Sequence, residues 1–270
     1  MSAGTSSGFA SRHTELTSLH AEWTKLRTVS GPSWLLAAMV AVTVATGAAA
    51  AASARCQPGA FCGVDPARLS LTGVQVGQVL VAILAVLAIS NEYSTGMILL
   101  TLTAMPHRTA VLAAKAAVVS GLVLASGTVA VLGSVLAGRL ILPGRGLPGF
   151  AALSLGDGAV LRAAAGSVLY LALIAQLSLG VATVVRESGF AIGVVLGLLF
   201  LFPILAGVVS NPDWKRHLQQ IAPMNAGLDI QATTGLHSLP LSPWAGLGVL
   251  AAWAAGALLA GGLVLWRRDA

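Results

Sequence analysis

Charged residues are scarce in this sequence. They make up 9% of its 270 positions, whereas hydrophobic residues make up 56%. A soluble domain has about 25% charged residues. So little charge cannot cover the surface of a water-soluble protein of this length, and the composition predicts that lipid is the solvent for most of the chain.

Residues for metal binding and catalysis are also lacking. The two cysteines, Cys56 and Cys62, form no CxxC pair and have no histidine at metal-ligand spacing. No GxxxxGK[ST] phosphate-binding loop, GxSxG or HExxH motif occurs. We therefore expect no cofactor, no metal and no ATP hydrolysis by the chain itself. Both cysteines lie in a polar loop, 55–70, where they either pair in an oxidising exterior or stay free.

Ionisable groups are absent from the middles of the long apolar segments. Proton-coupled carriers and intramembrane enzymes keep such groups in the membrane, so their absence argues against both classes. The net charge is +6. The basic residues are scattered rather than gathered in a patch, which argues against nucleic-acid binding.

Six apolar segments are present, each close to or longer than the roughly 20 residues that a helix needs to cross a membrane. Segments in lipid must satisfy their own backbone groups, so helices are predicted. The predicted fold is an all-α polytopic integral membrane protein with six transmembrane helices. The predicted spans are 33–54, 71–90, 110–137, 163–185, 189–210 and 244–266, with Arg162 marking the start of the fourth and Arg186-Glu187 forming a tight turn after it.

The region before the first span divides into two parts. Residues 1–13 are rich in Ser and Gly and are predicted to be disordered. Residues 14–32 carry Leu16, Leu19, Trp23 and Leu26 at helical spacing. This pattern favours an amphipathic helix lying in the membrane interface over an ordinary solvated helix.

Three glutamines are the main polar residues inside the predicted spans. Gln75 and Gln78 lie three residues apart in the second span, and Gln176 lies in the fourth. One interpretation is hydrogen bonding between helices, and the other is a lining for a substrate path.

The loop 91–109 has the sequence NEYSTGMILLTLTAMPHRT and is too interrupted to be a span. It is predicted to contain a short apolar helix, Met97–Ala104. Glu92 is either a helix-end residue that pairs with Arg108 or Lys115, or part of a docking element for a cytoplasmic partner.

Four stretches resemble bacterial ABC-2-type transporter permeases in order and spacing over nearly the whole chain. They are LHAEWTKLRTVSGPSW before the first span, NEYSTGM after the second, PHRTAVLAAK leading into the third, and PMNAG before the sixth. The resemblance implies six spans with both termini cytoplasmic, and a first cytoplasmic loop that docks on a separate ATPase. The docking candidates are Glu92, Tyr93, Gly96, Pro106 and Arg108. One departure is Ile98-Leu99-Leu100, where such permeases often carry a basic or polar residue.

The same resemblance implies an outer hairpin of short helices over 211–243. Asp213–Ile221 and Asn225–Thr233 are the expected helices, broken by Pro223. It also implies two ATPase copies and a second permease, identical or similar. Lysine and arginine divide almost equally between the two sides, so charge gives little support for cytoplasmic termini.

These observations predict a permease subunit of an ATP-driven exporter in the bacterial cell membrane. The predicted cargo is a lipid-like or drug-like compound, by analogy with the family. The alternatives are a secondary transporter and a membrane-anchored binding or immunity-type protein. An enzyme acting on lipid is a more distant alternative.

Overall fold

The computed structural model describes residues 30–54, 64–94, 108–145, 153–154 and 156–268, and no strand occurs among them. Six of its helices are long and apolar enough to cross a membrane, which confirms the predicted fold class. They are α1 (Ser30–Ser53), α3 (Val74–Ser94), α4 (Arg108–Ile141), α5 (Gly158–Val185), α6 (Ser188–Val208) and α9 (Pro243–Arg268).

Three short helices complete the described part of the chain. Helix α2 (Pro66–Ser70) precedes α3, and α7 (Pro212–Ile221) and α8 (Pro223–Leu228) lie between α6 and α9. Single 3₁₀ turns occupy Leu142–Arg145, Asp229–Gln231 and Leu236–Ser238. The second short helix expected over 211–243 is therefore shorter than predicted, and Pro223 begins it, because proline fits the first turn of a helix.

Side-chain caps set several helix ends that hydropathy does not show. Asp157 accepts a hydrogen bond from the N–H of Ala159, so α5 begins at Gly158 rather than at 163. Arg162 consequently lies inside α5 and does not mark its start. In the same way, Asp65 caps α2 through the N–H groups of Ala67 and Arg68.

Helices α5 and α6 are joined by only two residues. Arg186 adopts a left-handed backbone conformation with φ 65°, which ends α5. The carboxylate of Glu187 accepts hydrogen bonds from the N–H groups of Gly189 and Phe190 and so begins α6. The two helices are antiparallel neighbours as a result.

The core of the bundle is formed by α3 and α5. In each of them 56% of the apolar stretch is buried, against 22–28% in the other four long helices. Helix α5 packs against α3, α4, α6 and α9, and α1 packs against α3 and α4. The remaining surface of the outer helices is apolar and exposed, as a lipid-facing surface must be.

The bundle has two ends, which we name by their contents. The terminal side carries Ser30, the end of α3, the start of α4, the turn at Arg186 and Arg268. The hairpin side carries α2, the start of α5, the end of α6 and the start of α9. Because six helices cross, the beginning of α1 and the end of α9 lie on the same side.

Several predictions fall outside the described residues. These are the disordered tail 1–13, the interfacial helix 14–32 apart from its last three residues, the pair Cys56 and Cys62, and the short helix Met97–Ala104 with Gly96 and Pro106. Glu92 and Tyr93 belong to the last turn of α3, and Arg108 begins α4. The connection between the second and third spans is thus shorter than the predicted 91–109.

Candidate functional site: a buried segment between the last two spans

The chain between α7 and α9 contains a segment that is enclosed by the bundle. From Ala222 to Ala232, ten of the eleven residues are buried, and Asn225 is half-buried. We call this stretch the buried segment. It comprises α8 and the 3₁₀ turn Asp229–Gln231, and it packs against α5, α6 and α9.

The buried segment enters the membrane region from the hairpin side. Ala232 contacts Arg162, Ile230 lies against Gly166, and Gly227 lies against the ring of Tyr170. Arg162 and Tyr170 are eight residues apart on α5, which corresponds to about 12 Å along a helix. The segment therefore extends about this distance into the bundle from the hairpin side and does not reach the terminal side.

Helix α9 passes very close to the backbone of the segment. A Cβ atom on Gly246 would overlap the carbonyl oxygen of Ala226. Two residues further on, a Cβ on Gly248 would meet nothing within 4 Å. Glycine at 246 is therefore required by the contact, whereas glycine at 248 is not.

A polar contact holds the deepest part of the segment. The hydroxyl of Tyr170 donates a hydrogen bond to Oε1 of Gln78, and Nε2 of Gln78 donates to the sulfur of Met224 at 3.3 Å. Tyr170 and Gln78 are completely buried. This contact joins α3, α5 and the segment. Gln75, by contrast, is exposed on the surface of α3.

A second polar contact lies where the segment ends on the hairpin side, next to Ala232; we call this end the mouth of the segment. Asp65 accepts hydrogen bonds from the N–H of Thr233 (2.5 Å), the hydroxyl of Thr233 (2.6 Å) and the N–H of Thr234 (3.0 Å). Burial alone would raise the pKa of this carboxyl, but the hydrogen bonds from Thr233, Thr234 and Arg68 outweigh it and lower the pKa. Asp65 thus remains a carboxylate and ties α2 to the segment.

Two arginines complete this mouth. Arg162 donates a hydrogen bond to the carbonyl of Ala232 at 2.5 Å. Arg68 lies 3.7 Å from the carboxylate of Asp229. Burial raises the pKa of Asp229 to about 6, although the Arg68 charge acts to lower it. Of the two carboxyls, Asp229 is the one that titrates near neutral pH.

Two further interhelical contacts lie nearer the terminal side. Gln176 on α5 donates to the carbonyl of Ala116 at 2.9 Å and to the hydroxyl of Ser120. The amine of Lys115, which is 4% exposed, donates to the carbonyl of Ala88 at 3.2 Å. These contacts join α4 to α5 and to α3. Of the three predicted glutamines, Gln78 and Gln176 therefore make interhelical hydrogen bonds. Their role in a substrate path stays a prediction.

Sequence patterns do not identify Asp65, Arg162, Tyr170 and Asp229 as contributors to one site. Their partners are far away along the chain, so no local pattern connects them. The only available signal was the presence of acidic residues beside apolar segments. No group of three or more His, Cys, Asp or Glu that could hold a metal occurs in the part of the chain that the structure describes.

The fold and this site define a multi-pass helical membrane protein with a segment that enters the membrane and returns. Residues 18–210 match the family model described as an ABC-2 family transporter protein, and the chain belongs to this family. No curated protein matches the chain. The resemblance to ABC-2-type permeases is confirmed, and the protein is a membrane transport component. The matched range ends before α7, so it does not include the buried segment.

We expect Gly246→Ala to destabilise the protein, because the added methyl would overlap the carbonyl of Ala226. Overpacking of this kind costs about 1–3 kcal/mol. The midpoint of thermal unfolding in detergent measures the change. Gly248→Ala is the matched control and should leave the midpoint nearly unchanged. Equal effects of the two substitutions would contradict the close contact between α9 and the segment.

We also expect stability to depend on the ionisation of Asp229. Its folded-state pKa of about 6 exceeds the ordinary value of 3.8. The stabilisation associated with the protonated carboxyl is therefore complete below 3.8 and is lost as the pH rises through about 6. The unfolding midpoint should fall between about pH 4 and pH 6 and level off above that, in a range where Asp65 stays ionised.

Asp229→Asn should flatten that part of the pH profile, because the amide cannot ionise. Asp213→Asn is the control, since Asp213 is exposed on α7. If Asp229→Asn kept the same slope as the unmodified protein, another group would be responsible.

Proposed function

We propose that this chain is the membrane-spanning subunit of an ATP-driven exporter of lipid-like or amphiphilic compounds, powered by separate ATPase subunits. One observation carries the proposal beyond family membership. The six apolar stretches, with α3 taken only to Asn91, contain no Asp, Glu or His. Their buried basic side chain, Lys115, lies near the terminal side and donates to the carbonyl of Ala88, so no carboxyl or imidazole group within the spans is available to couple transport to protons. Energy must then enter from outside the spans, which favours a partner ATPase over a secondary transporter.

In this proposal the terminal side faces the cytoplasm and the ATPase docks on the loop between α3 and α4. Glu92, Tyr93, Gly96, Pro106 and Arg108 remain the predicted docking residues. The ends that flank this loop are joined by the hydrogen bond from Lys115 to the carbonyl of Ala88. A displacement of the loop would therefore move the ends of α3 and α4 together.

The remaining contacts offer a route from the loop to the buried segment. Gln176 connects α4 to α5 through Ala116 and Ser120. Tyr170 lies six residues, about 9 Å, further along α5 and contacts Gly227 of the segment. Interhelical hydrogen bonds and close packing thus form a continuous chain of contacts between the two ends of the bundle. Coupling needs such an element with two alternative positions.

The assembly that fits this proposal has two permeases, identical or similar, with the substrate path between them, and two ATPase copies. The outward surface of the spans is apolar, which suits a lipid-like cargo. Gln75 is exposed on α3, and in this proposal it contacts a cargo on that surface. Gln78 and Gln176 have hydrogen-bond partners inside the bundle, which favours a structural role for them.

The function is tested by isolating the protein from its native membrane together with its partners. We expect an ATPase subunit to co-purify, and ATP hydrolysis by the complex to rise with an amphiphilic substrate. The chain alone should hydrolyse no ATP. Glu92→Lys should lower the substrate-stimulated hydrolysis while the ATPase stays bound, and Arg186→Glu should have a smaller effect.

Two results would contradict this assignment. Transport by the chain alone, driven by an ion gradient, would indicate a secondary transporter. Full transport by both variants would remove the docking role from Glu92.

Gln176→Leu should weaken coupling rather than folding. A hydrogen bond between membrane helices is worth about 0.6–1.7 kcal/mol, so the variant should still fold. We expect the substrate transported per ATP hydrolysed to fall by roughly threefold or more, the factor that such an energy represents. Thr128→Val is the control, because the Thr128 hydroxyl bonds only within its own helix, to Leu124. An unchanged ratio in Gln176→Leu would exclude this contact from the route.

A further inference from the structure

Helix α7 is amphipathic, and most of its apolar face is exposed: Leu218 is half-buried against neighbouring helices, whereas Trp214 and Ile221 are exposed. Asn211 caps it through the N–H groups of Asp213 and Trp214, and none of its ten residues is buried. Trp214, Leu218 and Ile221 share one face, because positions i, i+4 and i+7 align on a helix. Trp214 is 65% exposed and Ile221 is 53% exposed.

The apolar face of α7 continues the lipid-facing surface of the spans. Helix α7 follows α6 after only three residues, and the last turns of α6 carry Ile204, Leu205 and Val208 with large exposed side chains. Helix α6 is one of the six membrane-crossing helices, so this surface faces acyl chains. Exposed Trp214 lies beyond the end of α6, at the membrane interface, which indole rings prefer.

The carboxyl end of α7 lies deeper in the bundle than its start, measured from the hairpin side. The indole N–H of Trp253 donates to the carbonyl of Ile221 at 3.0 Å. Trp253 lies ten residues, about 15 Å, along α9 from Pro243. The helix therefore slopes inward, and its exposed basic residues, Lys215 and Arg216, lie in its first half.

This arrangement matches the chemistry of a membrane interface. An inward-sloping helix places Ile221 among acyl chains and leaves Trp214, Lys215 and Arg216, which precede it, at the level of the interface and the headgroups. Lysine and arginine at that level attract anionic lipids. Helix α7 carries both Lys215 and Arg216 and only one acidic residue, Asp213, so basic residues outnumber acidic ones on it.

We propose that α7 is an anionic-lipid binding helix on the hairpin side, in which Lys215 and Arg216 bind the phosphate groups of acidic phospholipids while Trp214 lies at the interface and Ile221 inserts between their chains. The proposal does not depend on the ATPase or on the cargo. It adds a lipid class as a partner of the helix that leads directly into the buried segment.

Lipid selectivity tests the charged half of the proposal. The full chain is reconstituted in vesicles of phosphatidylcholine with about 30% phosphatidylglycerol, and spin-labelled lipids report the relative affinity of the protein for each headgroup. Lys215→Gln combined with Arg216→Gln should lower the preference for phosphatidylglycerol at the α7 site by up to about 25-fold, since each basic residue near an anionic surface contributes a factor of roughly five.

Asp213→Asn is the matched control with the opposite sign, and it should preserve or raise the preference. Added salt should weaken the preference of the unmodified protein more than that of the double variant. An unchanged preference in the double variant would overturn the proposal.

Depth measurements test the apolar half and identify a competing occupant. In a protein carrying Cys56→Ser and Cys62→Ser, a nitroxide is attached at Ile221→Cys or at Arg216→Cys. We expect the label at 221 to be accessible to oxygen and the label at 216 to be accessible to a water-soluble nickel chelate. A label at 221 that is accessible to neither reagent would mean that a second protein copy covers this face. A label at 221 exposed to nickel would place α7 in water, and either result overturns the proposal.

Discussion

A break in helical hydrogen bonding within a membrane is tolerated only where protein encloses it. Two interruptions of the α-helix lie in the buried segment: Ala222 has an extended backbone between α7 and α8, and the chain becomes extended again at Ala232, after the 3₁₀ turn Asp229–Gln231. Side chains from the surrounding helices supply bonds at these positions. Trp253 donates to the carbonyl of Ile221, Arg162 donates to the carbonyl of Ala232, and Asp65 accepts from the N–H groups of Thr233 and Thr234. The packing of the hairpin side follows from this requirement.

This requirement also explains why polar side chains occur where an apolar sequence would not need them. Arg162 lies one turn inside α5 and donates a hydrogen bond to a backbone carbonyl of the segment. Its position is explained by this contact and not by the end of a span. Gln231 is buried and donates to the hydroxyl of Ser167 at 3.1 Å. Each of these side chains is a partner of the buried segment or of its ends. None of them is arranged for covalent chemistry.

Hydropathy was sufficient to predict the six spans, because a membrane helix must be long and continuously apolar. It could not fix their ends, since Asp157 and Glu187 set the starts of α5 and α6 by capping. The buried segment could not be predicted from its own residues. Its composition resembles that of a surface loop, and its partners Asp65 and Gln78 lie more than 140 residues away in sequence. The family resemblance suggested short helices there but not their burial.

The two ends of the buried segment are held by different chemistry. At depth the contact is neutral, between Gln78, Tyr170 and Met224. At the mouth it is charged, with Asp65, Arg68, Arg162 and Asp229 close to the aqueous boundary. Separating the charged contacts exposes the groups to water, which costs far less than exposing them to lipid. Movement of the segment in the proposed transport cycle is therefore easier at its mouth, while the neutral contact keeps its deep end packed against α3 and α5.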